Sequence, residues 1–161
     1  MIPKNTKYVP LGVDIDFSTA ASNLSDSINM KNYHDALFLI QLADIGTASP
    51  VLLVYSGADN ATCTSALPFK YRFGGAAAGS ANCDVFGDWT DCAATGLELT
   101  HGTYDNYLLQ VYVDGADMDI ANAEEWLTLD FTDPGGATGQ AIVIAALTPR
   151  YSSGTEVTAL V

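Results

Sequence analysis

Two histidines, His34 and His101, are the residues of this sequence best suited to acid–base or nucleophilic catalysis. Ser-His-Asp or Cys-His catalysis needs a histidine beside a nucleophile and an orienting acid. His34 adjoins Asp35, but neighbours on a strand point to opposite faces, so the pair is not a dyad by itself. The sequence also lacks a G-x-S-x-G nucleophile elbow. We therefore expect no catalytic residues, no cofactor and no enzyme activity.

An acidic stretch over residues 114–125 is the best candidate for a metal site. Calcium takes about six to eight oxygen ligands. Several oxygens are offered there by Asp114, Asp117, Asp119, Asn122 and Glu124. The spacing of an EF-hand is not met, so a solvated acidic loop is favoured, and no metal site is predicted. Calcium binding by this loop stays an open alternative.

Five aromatic residues offer the side chains of a sugar-stacking platform: Tyr33, Tyr55, Trp89, Tyr104 and Trp126. Aromatic residues on strands more often lie in the core or in a subunit interface. Glycan binding is favoured only if Trp89 and neighbouring tyrosines are exposed together on one face.

The charge balance limits the partners. The 161 residues include 6 basic and 19 acidic ones, which gives a formal net charge of −13. Basic side chains drive binding to phosphate backbones, so we expect no nucleic-acid partner. No apolar run approaches the roughly 20 residues of a membrane-spanning helix, so no membrane partner is expected. The N-terminal residues lack the apolar core of a signal peptide, which favours a protein kept in the cytoplasm until it is assembled.

Three cysteines, Cys63, Cys83 and Cys92, occur without a CxxC motif. An odd number favours free thiols in a reducing compartment over a complete disulfide framework. A bridge between Cys83 and Cys92 stays an open alternative.

Short β-rich segments separated by turn-forming residues predict an all-β fold. The predicted strands are residues 8–17, 27–30, 36–43, 51–55, 69–73, 97–100, 107–114, 126–131 and 141–147. Loops are predicted over residues 18–27 and over the Gly/Ala run 74–79, and a short helical turn within residues 117–125. About eight strands at this spacing predict a single antiparallel β-sandwich or jelly-roll-like domain.

Two short motifs carry a resemblance to a known family. Residues 30–33 (Met-Lys-Asn-Tyr) lead into the apolar strand 36–42, and residues 147–153 read Leu-Thr-Pro-Arg-Tyr-Ser-Ser. With the late Trp-containing strand 125–131, they make the chain resemble a family of small virion structural proteins of tailed bacteriophages, thinly over residues 27–161. The resemblance implies a capsid decoration (cement) protein, encoded near the major capsid protein and bound to the outer surface of a phage head. A receptor- or glycan-binding module of a phage fibre or tail is the alternative.

Residues 1–13 are expected to form an extended N-terminal arm ahead of a β-sandwich domain over residues 14–161. Pro3 and Pro10 make a helix improbable there. The arm is expected to dock on the capsid protein through six residues: Ile2, Lys4, Lys7, Tyr8, Val9 and Leu11. For residues 8–13, a first strand folded back on its own sandwich is an equal alternative.

Self-association is the last expectation. Only 16% of the residues are charged while 48% are hydrophobic, so some apolar surface is expected to be buried between copies. The resemblance to decoration proteins implies a closed oligomer, most plausibly a trimer.

Overall fold

Twelve β-strands and two short 3₁₀ helices build the computed structural model, which describes residues 6–19, 21–133, 135–151 and 158–160. The strands are β1 (Lys7–Asp16), β2 (Ser22–Leu24), β3 (Ile28–Asn29), β4 (Tyr33–Leu42), β5 (Val51–Gly57), β6 (Ser65–Ala66), β7 (Phe69–Ala77), β8 (Thr90–Cys92), β9 (Leu97–Glu98), β10 (Tyr107–Asp114), β11 (Trp126–Thr132) and β12 (Gln140–Pro149). The 3₁₀ helices are Gly115–Asp117 and Ile120–Asn122. Within the described ranges, neither these nor any other helix has the length and apolar content that a membrane crossing requires.

The strands form two antiparallel sheets. Sheet A has the order β1-β12-β4-β10-β7-β8, and sheet B has the order β2-β11-β5-β6, with β3 beside β11 and β9 beside β5. Pairing is nested from the chain ends towards the middle: β1 pairs with β12, β2 and β3 with β11, β4 with β10, and β5 with β6. A ribbon rolled up in this way is the arrangement of a jelly roll. The predicted all-β sandwich is therefore confirmed.

The core lies between the inner faces of the two sheets. Alternate residues of β4 point inward, because successive side chains of a strand lie on opposite faces. The largest fully buried side chains include Phe17, Phe38, Ile40, Leu52, Leu109 and Phe131. Phe17 follows β1, and its ring stacks on that of Phe131 of sheet B with 5.3 Å between centroids. This stacking joins the two layers.

The first strand corrects the expectation of a separate arm over residues 1–13. β1 starts at Lys7, which lies opposite Leu147 of β12 in an antiparallel register. Val9 and Leu11 are buried in the core of their own domain. This burial is achieved within the chain itself because the segment folds back along β12, so residues 7–13 belong to the sandwich. Residues 1–5 of the expected arm, with Ile2 and Lys4, lie outside the described residues.

Two further segments that were predicted to be loops contain strands. The predicted loop 18–27 contains β2, which pairs with residues 130–132 of β11. The Gly/Ala run 74–79 continues β7 as far as Ala77, because Gly74 has no side chain to obstruct a neighbouring loop. A Cβ there would lie 2.4 Å from the carbonyl oxygen of Cys83. The short helical turn predicted within residues 117–125 is confirmed by the 3₁₀ helix Ile120–Asn122, which the 3₁₀ helix Gly115–Asp117 precedes.

Asp130 is a buried carboxylate on the side of β11 that faces away from the core. It is only 5% exposed, and its Oδ1 accepts hydrogen bonds from the Ser22 hydroxyl at 2.8 Å and the Asn23 amide at 3.1 Å. Burial raises the pKa of Asp130 above the ordinary value of 3.8, and these two hydrogen bonds offset only part of that increase. The ionised form is therefore disfavoured in the folded protein.

Replacing Asp130 by asparagine is expected to increase the free energy of unfolding at pH 7. Because the pKa of Asp130 is higher in the folded chain than in the unfolded chain, the free energy of unfolding falls as the pH rises from 3.8 through the folded pKa. It remains lower at pH 7. Asparagine keeps an acceptor oxygen for Ser22 and removes the charge. Urea denaturation of wild type and Asp130→Asn should show a gain at pH 7 that shrinks at about pH 3.

Asp133→Asn is a control with the opposite expected sign. Backbone amides of Ala137, Gly135 and Gly136 donate to the Asp133 carboxylate and lower its pKa. That contribution is present above pH 3.8 and is lost as the pH falls through the lower folded pKa. The variant should therefore be less stable than wild type at pH 7. A loss of stability at pH 7 in Asp130→Asn as well would contradict the dominance of burial at Asp130.

Candidate functional site

The side of sheet A that faces away from the core carries a cluster of apolar side chains. It is built by the three neighbouring strands β1, β12 and β4. Its members, which we call the apolar patch, are Tyr8, Pro10, Leu37, Leu39, Ile142 and Ile144. Tyr8 is 55% exposed, Ile142 45% and Ile144 38%.

The strand register brings these side chains together. Ile144 of β12 lies opposite Pro10 on one side and opposite Leu39 on the other. In the next row, Ala146 lies between Tyr8 and Leu37 in the same way. Directly opposed residues of antiparallel strands have Cβ atoms about 4.5–5.5 Å apart, so the patch is continuous.

The sequence of β4 and β12 explains why this face is apolar. Residues 36–40 and 141–147 are apolar at both odd and even positions, whereas a strand with one solvated face normally alternates. Continuous apolar runs are typical of strands covered on both sides. Sheet B covers the inner side, and the exposure of Ile142 and Ile144 shows that the outer side is open. The open side therefore has the composition of a surface that is covered in a larger assembly.

Charges are distributed unevenly around the patch. One row across sheet A runs Pro10, Ile144, Leu39, Gln110, Arg72, and the next runs Tyr8, Ala146, Leu37, Tyr112, Lys70, Asp91. All these residues are described, and Asp91 is the only acid in the two rows. Its carboxylate lies 2.9 Å from the Lys70 ammonium. In a chain with 19 acids, the two rows therefore have an apolar centre and a basic margin on β7.

Carboxylates gather at one end of this face. Asp35 and Asp114 lie opposite each other on β4 and β10. Burial raises the pKa of the Tyr112 phenol, and the nearby carboxylates of Asp35, Asp114 and Asp117 raise it further. An open groove of about 260 Å³ adjoins Tyr112, with Lys70 and the three carboxylates Asp91, Asp114 and Asp117 in its lining.

An arginine and three aromatic rings cluster on the outer side of sheet A, near the edge formed by β7 and β8 and away from β1. The Nε of Arg72 donates a 2.7 Å hydrogen bond to the Gln110 side chain. The Arg72 guanidinium carbon lies 4.4 Å from the Trp89 ring centroid and 5.0 Å from that of Phe86. Trp89 in turn meets the Tyr112 ring at 6.2 Å in an edge-to-face arrangement. Both distances from Arg72 are within cation–π range.

The five aromatic residues considered for a sugar platform do not share one face. Trp89 is 40% exposed beside Tyr112, but the Arg72 guanidinium stacks on its ring. Tyr33 is buried, and Tyr104 stacks on Phe73 with 3.9 Å between centroids. Tyr55 and Trp126 lie on sheet B. Of these five residues only Trp89 is therefore exposed, and its aromatic neighbour Tyr112 is half-buried.

The residues considered for catalysis and metal binding are placed apart. His34 is exposed at the start of β4, whereas His101 is exposed in a turn near Ser49, at the other end of the sandwich. Glu124 is buried and accepts hydrogen bonds from Ser56 at 2.5 Å and Ser65 at 3.1 Å. Asp119 accepts two hydrogen bonds from Asn122. Among the described residues, no group of three or more His, Cys, Asp or Glu could hold a metal ion.

The cysteines are free thiols, so the alternative of a Cys83–Cys92 bridge does not apply to this structure. Burial raises the pKa of the Cys92 thiol. Burial, with a smaller effect of Asp130, also raises the pKa of Cys63. These two thiols are less readily ionised than an ordinary cysteine.

The expected docking residues are divided between the core and the surface. Tyr8 belongs to the apolar patch, Lys7 starts β1, and Val9 and Leu11 are core residues. The other patch residues, on β4 and β12, were missed. Their signal was present in the sequence, because both runs are apolar at consecutive positions.

Similarity to known proteins adds nothing to this geometry: the chain matches no protein-family model, no curated protein and no solved structure.

Proposed function

We propose that this protein is a virion structural protein that decorates a phage head. In this role it binds the outer surface of the major capsid protein, stabilises the shell and carries out no catalysis. It docks through the outer side of sheet A, with the apolar patch at the centre of the interface. The observation that carries this proposal is the exposure of Ile142 and Ile144 on a sheet face whose strands are apolar throughout.

The position of the patch supports docking rather than solvent exposure. Contiguous exposed apolar surface on a folded protein commonly marks an interaction site. Here it lies on β1 and β12, which are the first and last strands, next to the central strand β4. A decoration protein is expected to expose apolar surface near its chain termini, whereas a glycan-binding module is expected to expose aromatic rings together on one face. The two central rows contain one acid, so a partner that docks there meets less electrostatic repulsion than it would elsewhere on this acidic chain.

The fold is compatible with this role at the level of analogy. Jelly rolls occur in viral capsid proteins, and also in lectins and cupins. A fold shared by unrelated functions does not identify one of them. The apolar patch and the resemblance of residues 30–33 and 147–153 to phage virion proteins therefore support the role on the capsid.

A receptor- or glycan-binding module of a fibre or tail is the second candidate. Trp89 is exposed beside the half-buried Tyr112, and the groove beside Tyr112 has carboxylates that can accept hydrogen bonds from sugar hydroxyls. Stacking by Arg72 leaves less of the Trp89 ring for a sugar. The apolar patch also has no role in this alternative, so we favour decoration.

Co-sedimentation tests the choice between these functions. Purified protein is mixed with undecorated capsids, which are produced by the same phage after its gene for this protein has been deleted. It is mixed separately with isolated tails. Decoration predicts saturable binding to capsids and none to tails. Binding to tails or to glycan-coated beads, with none to capsids, would contradict the proposal. The closed oligomer, the location on the virion and assembly in the host cytoplasm stay predictions.

A further inference from the structure

Arg72 is held in one orientation at the margin of the docking face. It is half-buried and lies in the same row of sheet A as Ile144 and Leu39. The hydrogen bond from its Nε to Gln110 fixes one edge of the guanidinium, and the rings of Trp89 and Phe86 pack against it. An arginine side chain normally has large rotamer freedom, and these contacts remove much of that freedom before any partner arrives.

Among the residues that the structure describes, the Arg72 guanidinium has no acidic partner. Within the described ranges the ion pair is Lys70–Asp91, two residues from Arg72 on the same strand, and no carboxylate is paired with Arg72. Among the described residues, Arg72 makes its side-chain hydrogen bond through Nε, and neither of its two Nη groups has an acceptor. Basic residues are outnumbered by 6 to 19 in this chain, so an arginine left without an acid is unexpected.

From this geometry we infer that Arg72 is a preformed binding site for a carboxylate. Its ligand is an aspartate or glutamate side chain of the protein that docks on the outer side of sheet A. The inference rests on the proposed docking and adds the chemistry of the partner's contact residue. The planar Nη groups can donate two parallel hydrogen bonds to the two oxygens of one carboxylate. The ordered side chain reduces the entropy lost on binding.

The neighbourhood favours a single carboxylate over a polyanion. Asp35, Asp114 and Asp117 gather around Tyr112, which touches Trp89. These carboxylates, with a net charge of −13, repel an extended polyphosphate. A single carboxylate at the edge of an apolar interface can bind Arg72 without lying close to these three acids. Arginine, tryptophan and tyrosine are also the residue types that most often dominate the energetics of protein interfaces.

Binding of Arg72 variants to undecorated capsids tests the inference within the complex. Arg72→Lys keeps the positive charge and loses the planar fork, so we expect its affinity to fall about 10-fold or more. Lys31→Gln removes a charge from the exposed turn before β4, outside the two rows of the docking face, and we expect a change of less than about 3-fold because an exposed charge contributes little. Equal effects of the two substitutions, or wild-type affinity in Arg72→Lys, would overturn the inference.

A capsid-independent measurement separates this inference from the docking proposal. The Arg72 Nε–Hε resonance is followed by NMR while sodium glutarate is added to the full chain at constant ionic strength. We expect a saturable shift that sodium chloride does not produce. No shift would overturn the carboxylate site even if capsids bind, and an equal shift with sodium phosphate would overturn its selectivity for carboxylates. A shift without capsid binding would contradict the capsid protein as the partner, while the carboxylate site at Arg72 would still be supported.

Discussion

Deleting residues 1–16 is expected to abolish cooperative unfolding of this protein. The deletion removes β1, whose residues 7–16 form the edge of sheet A along β12. It also removes the buried side chains of Val9, Leu11 and Ile15. Each buried aliphatic side chain contributes about 1.5–3 kcal/mol, and a whole domain is stable by only about 5–15 kcal/mol. Circular dichroism during heating should therefore show no sharp transition.

Deleting residues 1–5 is the matched control. It keeps the whole of β1, and every β1–β12 pair starts at Lys7 or later. The melting temperature should remain within a few degrees of wild type. If both deletions melt like wild type, β1 is dispensable and residues 7–13 act as an arm after all. If the control weakens capsid binding while it remains folded, residues 1–5 contribute to docking.

Replacing Ile144 by aspartate is expected to reduce capsid binding by about 30-fold or more, because a hot-spot residue at the centre of an interface contributes at least about 2 kcal/mol to binding. The charge would be buried against the partner without a counter-ion. The fold should be retained, since Ile144 is 38% exposed and its side chain points away from the core. Isothermal titration with undecorated capsids measures the affinity, and thermal melting confirms folding.

Val51→Asp is the matched control for this substitution. Val51 is a half-buried β-branched residue on the outer side of sheet B, the side that faces away from the shell. The same charge there should change the capsid affinity less than about 2-fold, as expected for a residue outside the interface. Equal affinities of Ile144→Asp and wild type would show that the patch is not the docking surface.

Much of the fold could be predicted from local sequence patterns. The predicted strand 107–114 coincides with β10, and the predicted strand 36–43 overlaps β4, because short apolar runs between turn-forming residues are strong strand signals. Residues 74–77 were assigned to a loop, since glycine and alanine have low strand propensity. In the folded chain, pairing with β10 overrides that propensity, with Ala77 opposite Tyr107.

The candidate site was harder to predict, for a geometric reason. Alternation identifies side chains that share a face of a strand, but a strand that is apolar throughout does not reveal which face is covered. For β4 and β12 that depends on the position of sheet B, which is set by contacts distant in sequence. The Arg72 cluster likewise needs Gln110, Phe86 and Trp89, which come together through the pairing of β7 with β10 and the bridge between Gly74 and Phe86. Tyr8 was found because it lies in a short apolar segment beside Pro10.

Electron cryomicroscopy of capsids saturated with the purified protein is the most direct test of docking through the outer side of sheet A. The account predicts density at regular lattice positions on the outer surface of the shell, with β1, β12 and β4 facing the capsid protein and sheet B facing solvent. Density confined to a tail or a vertex, or a molecule docked with sheet B towards the shell, would contradict it.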